Sequence, residues 1–322
     1  MKQYGIPYRG SKSVIADRLI QSLPAGRRFV DLFGGGFAMS HAALLSGKYK
    51  EVYYNDIDPL LPPLIQGAIH GKYDYKRFRP EFVTRDEFFA KKETDGYVKF
   101  IWSFGNNGVD YMFGRNAEPW KHLAHDFVVF GRQDDEMEKI LPGVTEAVAA
   151  GFDNIRERRL EFCRYVKHVK NDRHAGELEQ LEQLKQLERL ERLERLEQLP
   201  LSDRLTLHTG DYREYEYRPG DVVYCDIPYQ TGQKHTGDYC DGFDWGAFYV
   251  WAFTRPFPVY ISSYPLMRTQ AVFERTSALS RDGDRNKKCE VLYQAGRGCE
   301  TALRKEYGIA DGTEALALMP AT

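Results

Sequence analysis

The residues of this chain best suited to chemistry lie in the run Val222-Val223-Tyr224-Cys225-Asp226-Ile227-Pro228-Tyr229. An apolar strand delivers a carboxylate, a proline-stiffened turn and an aromatic ring to its C-terminal end. In open α/β sheets that edge is where ligands sit. The set suits transfer to an amine attached to a flat ring. Asp226 can accept one N–H of the amine and the backbone carbonyl of Ile227 a second, which aims the nitrogen lone pair. Pro228 fixes the turn, and Tyr229 offers a face for the ring to stack on. An ordinary Asp-x-Pro turn would show the same residues, so the tetrapeptide gains meaning only from its companions.

Two companions stand near the N-terminus. Asp31-Leu32-Phe33-Gly34-Gly35-Gly36 places three glycines directly after an apolar run, allowing a tight turn and close approach of backbone to a ligand. The pattern GxxxxGK[ST] is absent, so this is not a phosphate loop. A second apolar run ends in Asn55-Asp56, about 20 residues past the glycine turn, where an acid suits the hydroxyls of a ribose. Read singly, Asp56 is equally a turn residue.

The elements that position these groups alternate. Residues 28–33 read as a strand, 38–46 as a helix and 51–54 as a strand. Further strands follow at 205–208, 221–225 and 258–263, with a closing hairpin over 272–279 and 289–294. A strand, glycine turn, helix and strand in that order implies a parallel sheet with crossover helices. Residues 80–199 lack the alternation and read as an inserted helical region, leaving 1–79 and 200–322 as one sheet domain. Inside the insertion, residues 177–199 carry leucine at every third position. Three residues turn a helix through about 300°, so successive leucines lag by about 60° and make no coiled-coil seam. The expectation is a tolerated surface helix supported by Glu188–Arg192 and Glu191–Arg195 pairs.

Composition sets outer bounds. Hydrophobic residues at 42% and aromatics at 14% describe a globular chain. No run of about 18 apolar residues occurs, so no membrane span is expected. The five cysteines are scattered without CxxC spacing, which points away from a disulfide framework and a zinc site and toward a reducing cytoplasm. The start of the chain lacks the apolar core of a signal peptide. A formal charge of −2 means that any nucleic-acid contact must come from a local basic patch.

Taken together, the motifs resemble the Dam-like adenine-specific DNA methyltransferases, in the phage-type branch whose recognition region sits between the cofactor and catalytic motifs. Tyr8-Arg9-Gly10-Ser11-Lys12 resembles the W-A-G-G-K element and Asp31 to Gly36 the D-L-F-x-G-G motif. Asn55-Asp56-Ile57 resembles N-D-I, Gly210-Asp211-Tyr212 resembles G-D-F, and Asp226-Ile227-Pro228-Tyr229 resembles D-P-P-Y. The resemblance implies a class I methyltransferase fold, a Rossmann-like sheet closed by an antiparallel hairpin. It also implies S-adenosylmethionine as cofactor, held by Tyr8, Lys12, Asp31, Phe33, Gly34, Gly35, Gly36, Asp56, Ile57, Asp211, Tyr212 and Asp226. Asp226, Ile227, Pro228 and Tyr229 would act on the 6-amino group of an adenine flipped out of double-stranded DNA. No metal is implied, and a cognate restriction endonuclease is left open. A bacterial or phage-infected cytoplasm, near the nucleoid, would be the setting.

Two positions depart from the family: Ile227 replaces a proline but keeps its carbonyl, and Phe37 stands where F-x-G-x-G ends in glycine. For DNA contact, Asn106, Asn107, Arg115 and Lys121 lie in a segment mixing aromatic, amide and basic groups, and Arg268, Arg285 and Lys287 lie in the closing loops. Alternatives are a methyltransferase of RNA adenine or protein glutamine, which use similar tetrapeptides, and a non-catalytic DNA-binding relic.

Overall fold

The computed structural model describes residues 3–149, 154–172, 181, 184–199, 203–228, 242–263, 271–277 and 288–296. Tyr229, Arg268, Arg285 and Lys287 lie outside the described residues. Seven strands form one sheet: β1 Arg28–Asp31, β2 Glu51–Asp56, β3 Leu205–Thr209, β4 Asp221–Cys225, β5 Val259–Ser263, β6 Ala271–Ser277 and β7 Lys288–Ala295. Their order is β3-β2-β1-β4-β5-β7-β6, with the first five parallel and β7 antiparallel to both β5 and β6. This is the expected Rossmann-like sheet closed by an antiparallel hairpin, the class I methyltransferase fold. The central strands β1 and β4 are buried on both faces, as apolar runs in a parallel sheet must be.

Alternation along β1 and β4 builds two cores. Val30, Val223 and Cys225 join Val259 and Ile261 beneath the helix Trp245–Phe253, which contributes Phe248, Tyr249, Trp251 and Ala252. That helix starts where the side chain of Asp244 accepts the Ala247 N–H at 2.9 Å. Phe29 packs against Tyr49 and Tyr224, at ring centroid distances of 5.3 and 5.9 Å. At the strands' N-terminal ends, opposite the glycine turn, Arg28 forms a buried ion pair with Asp221 at 2.7 Å.

The chain divides into two compact units: a sheet unit of residues 1–5, 11–62 and 201–322, and a helical unit of residues 6–10 and 63–200. The helical unit therefore begins 17 residues earlier than the expected 80, part-way along the helix Leu61–Ile69. Its helices Arg85–Lys91, Gly96–Ile101, Glu118–Phe130, Asp135–Ile140, Ile155–Asp172 and Lys185–Glu194 enclose Phe88, Phe100, Trp102, Phe127 and Phe162, all fully buried. Thr84 and Glu87 make a reciprocal capping box at Arg85–Lys91, and Gly131, at φ 67°, ends Glu118–Phe130.

The leucine repeat corrects the expectation of a surface helix. Leu181, Leu184, Leu187, Leu190, Leu193, Leu196 and Leu199 are at most 6% exposed. The α-helix Lys185–Glu194 holds just three of them, so the lag of about 60° per leucine spreads them over about 120°, the width of an ordinary core-facing stripe. The chain then tightens into a 3₁₀ helix, Arg195–Gln198, whose three residues per turn match the repeat. Glu188 and Glu191 pair with Arg159 at 3.1 and 2.9 Å. The leucines thus face the core while Glu188 and Glu191 reach Arg159.

Candidate active site

The parallel register brings the chemistry to one edge. Asp31 of β1 lies beside Tyr54 of β2 and Tyr224 of β4. Continuing two residues along each chain places Phe33, Asp56 and Asp226 at the same level, where the glycine turn begins. On β3 the partner of Asp56 is Thr209, so Gly210 and Asp211 leave the sheet at this edge too. Four segments far apart in sequence therefore converge because their strands stop together.

Lys12, in the short 3₁₀ helix Lys12–Val14, places Nζ 2.8 Å from Asp226 Oδ1. The lysine is nearly buried and the carboxylate about one-fifth exposed, so their attraction is screened less than that of a surface ion pair. Behind it sits Asp31, 2% exposed. Ser40 donates its hydroxyl to Asp31 Oδ2 at 2.7 Å, and Asp31 Oδ1 has no hydrogen-bond partner among the described residues. Burial, reinforced by the charges of Asp226 and Asp56, pushes the Asp31 carboxyl up to about 7.

Asp56 holds the glycine turn. Its Oδ2 accepts the Gly35 N–H at 2.8 Å and its Oδ1 the Asp58 N–H at 2.9 Å. Burial raises it to about 6, although both amides oppose the rise. A β-carbon on Gly34 would fall 2.1 Å from the Tyr54 ring, so the turn packs onto β2 only with glycine there. Phe37 takes the left-handed conformation that the missing family glycine would take freely, at φ 67°. Its ring compensates by full burial against Tyr54 and His41. Next to Asp56, Ile57 is 71% exposed, an apolar surface beside an acid.

An aromatic wall closes the other side. Phe33 meets Tyr212, Phe243 and Phe248 at 5.2, 5.7 and 5.5 Å. Trp245 donates Nε1–H to the Pro228 carbonyl at 2.8 Å, tying this wall to the turn that follows β4. Asp211 is paired with Arg213, which holds its carboxyl below the usual range. Sequence reasoning missed Ser40, Phe243 and Trp245. Only the cluster Phe243-Asp244-Trp245, an aromatic pair around a helix cap, offered a signal. Cys225 is fully buried and its thiol is raised by burial and by the neighbouring Asp31 and Asp226, which leaves it poorly suited to nucleophilic work.

The edge thus combines four acids, one buried lysine, a glycine turn and an aromatic wall. Residues 8–134 match the model of the D12 class N6 adenine-specific DNA methyltransferases. Over those residues the chain is similar to that class. The matched stretch contains Lys12, Asp31, the glycine turn and Asp56. The remaining candidate site groups, Asp211 and Asp226, lie beyond it and are brought to the same edge by β3 and β4. No curated protein matches the chain. The family is one of DNA enzymes, so the alternatives of RNA adenine and protein glutamine lose ground.

The remaining candidates fall in the helical unit. Tyr8 packs on Phe100 at 5.5 Å. Asn106 donates its amide to the Phe100 carbonyl at 2.7 Å, and Asn107 donates to Asp110 at 2.9 Å while accepting the N–H groups of Val109 and Asp110. Both side chains serve their own loop. Lys121 is 7% exposed, because its position on Glu118–Phe130 faces the unit's interior. Arg115 is exposed. Among the described residues, no group of three His, Cys, Asp or Glu side chains could hold a metal ion, and no helix is long and apolar enough to cross a membrane.

Proposed function

We propose that this enzyme transfers a methyl group from S-adenosylmethionine to the 6-amino nitrogen of an adenine flipped out of double-stranded DNA. The observation that carries the reading is the convergence of Asp226 with Lys12, Asp31 and Asp56 at one sheet edge. The edge fits a cofactor that is cationic at its sulfonium and amino groups and carries a ribose. Among the described residues Asp31 Oδ1 is a buried acceptor with no donor, and the charges of Asp226 and Asp56 add to its surroundings. Asp56 retains lone pairs for ribose hydroxyls after accepting two amides, and Ile57 and Phe33 offer apolar contact to an adenine ring. When bound, the cofactor supplies an activated methyl group.

The chain's own groups do the rest. Asp226 and the Ile227 carbonyl accept the two amine hydrogens and orient the lone pair, so no covalent nucleophile is required. Lys12, 2.8 Å from Asp226 Oδ1, fixes the rotamer of that carboxylate. Trp245, through the Pro228 carbonyl, holds the turn that presents Ile227. Tyr229 would provide the stacking face. Flipping costs roughly a few kcal/mol, recovered by stacking and by these hydrogen bonds. Incubating the protein with duplex DNA and S-adenosylmethionine, then analysing the nucleosides by mass spectrometry, tests the reading. N6-methyladenine in DNA supports it. Modification confined to RNA, or none at all with cofactor bound, overturns it.

A further inference from the structure

Within the sheet unit, the glycine turn Gly34-Gly35-Gly36 is held on one side by β2. Gly34 donates its N–H to the Asn55 carbonyl at 2.8 Å. Gly35 is tied twice, by its N–H to Asp56 and by its carbonyl, which accepts the Tyr54 hydroxyl at 2.8 Å. Gly36 is met by a different segment of the same unit. A β-carbon on Gly5 would lie 2.1 Å from the Gly36 carbonyl oxygen and 2.7 Å from the Ala38 nitrogen. Gly5 is also in the left-handed region, at φ 68°, so only glycine fits against the turn here.

One side chain reaches both parts. His41, on the helix Ala38–Ser46 that follows the turn, accepts the Gly5 N–H on Nδ1 at 3.0 Å. Because the donor is a backbone amide, Nδ1 carries no proton and the ring is the Nε2–H tautomer. Burial lowers the imidazole to about 4, so the acceptor is present at neutral pH. The same ring supports the end of the turn. His41 lies one helical turn after Phe37, and their rings stack at 6.1 Å. Phe37 needs that support, because it holds at φ 67° a conformation that glycine takes freely. Tyr4 sets its ring edge-on to His41 at 5.3 Å, donates its N–H to Ser13 Oγ at 2.7 Å and its hydroxyl to Asp17. Tyr4, Phe37 and His41 are all buried. No aliphatic or amide side chain combines a flat ring for Phe37 with an acceptor for Gly5.

We propose that His41 is a positioning residue for the cofactor: by tying Tyr4-Gly5 across Gly36 and supporting Phe37, it sets the glycine turn in the conformation that S-adenosylmethionine binds. The proposal rests on the methyltransferase reading and deepens it. It also accounts for how this chain does without a glycine at position 37. The two contacts of one imidazole hold the end of the turn from outside, while Asn55, Asp56 and Tyr54 hold its start from β2. His41 itself touches neither cofactor nor base.

The test uses full-length His41→Leu and His41→Asn. Leucine fills the space and favours the helix but accepts no hydrogen bond, whereas asparagine keeps an acceptor in reach of Gly5. Amide hydrogen exchange of peptides covering residues 3–9 and 33–39 should accelerate by about tenfold in His41→Leu, with β4 unchanged. Calorimetry should show S-adenosylmethionine binding weakened by about fivefold to tenfold, the scale of one lost hydrogen bond. kcat at saturating cofactor should stay within about threefold. His41→Asn should recover most of the affinity and the slow exchange although it is the poorer helix former, an order that a role in helix stability alone would reverse. Should His41→Leu not fold, Gly5→Ala replaces it, because the added β-carbon drives the segment off Gly36 and leaves His41 in place; the same loosening and the same loss of affinity are expected. Unchanged affinity and turn exchange in the folded variant would overturn the proposal. So would a loss of affinity that asparagine does not restore, or one with turn exchange unchanged. A turn that loosens in a protein whose wild type binds no S-adenosylmethionine would leave the clamp standing and remove the cofactor reading.

Discussion

Replacing Asp31 by asparagine should change how the stability of the sheet unit depends on pH. The Asp31 carboxyl is raised from 3.8 to about 7, with burial as the largest cause and Asp226 and Asp56 adding to it. Between those two values the unfolded chain has lost the proton while the folded one keeps it. The unfolded state therefore binds fewer protons, and stability falls as pH rises, by about 1.4 kcal/mol per pH unit and about 4 kcal/mol in all. The contribution is fully present below pH 4 and gone above about pH 7. Asparagine keeps the size and an acceptor for Ser40 but does not titrate. Urea unfolding of both proteins at pH 5 and pH 8 should show the wild type losing about 2–3 kcal/mol more than the variant over that range. A difference that stays flat would refute the buried, charge-crowded environment assigned to Asp31. The same logic reaches the cofactor. A cation bound beside Asp31 must return it to the ionised form, so binding at pH 7 should release on the order of half a proton. Calorimetry in two buffers of different ionisation enthalpy measures that release, and none would show that the cofactor's charge lies elsewhere.

Two further outcomes follow. Leu190→Ala, at a fully buried position of the repeat, should destabilise the helical unit by about 2–5 kcal/mol in urea unfolding; a loss under about 0.5 kcal/mol would restore the surface-helix expectation. Asp56→Ala removes the acceptor of the Gly35 and Asp58 amides and should weaken S-adenosylmethionine binding by about 1–3 kcal/mol. Unchanged affinity by calorimetry would take Asp56 out of the cofactor site.

Much of the sheet was legible because its signals are local. Glycines after an apolar run, an acid at the end of the next run and a proline turn after β4 each mark where a strand stops. In a parallel sheet the stops share one edge. What escaped depends on partners distant in sequence. The leucine repeat was misjudged because a lag of about 60° accumulates only along an unbroken α-helix. Here the helix holds ten residues and gives way to a 3₁₀ turn. Glu188 and Glu191 suggested pairs within their own helix, but Arg159 supplies their partner from Ile155–Asp172. The boundary at residue 63 has no composition break because a helix runs through it. Lys121 looked available to DNA because sequence gives its charge but not which way its helix faces.

The central claim is that Asp226 orients the adenine amine at the edge where the cofactor binds. The most direct measurement is methyl transfer to duplex DNA by Asp226→Ala, made alongside calorimetry of S-adenosylmethionine binding to the same protein. The variant should retain affinity within about tenfold, since Asp31, Asp56 and the glycine turn remain, while transfer falls by at least about a thousandfold, the scale of losing a preorganised transition-state partner. Methylation within a few-fold of wild type in a variant that binds cofactor normally would contradict the assignment.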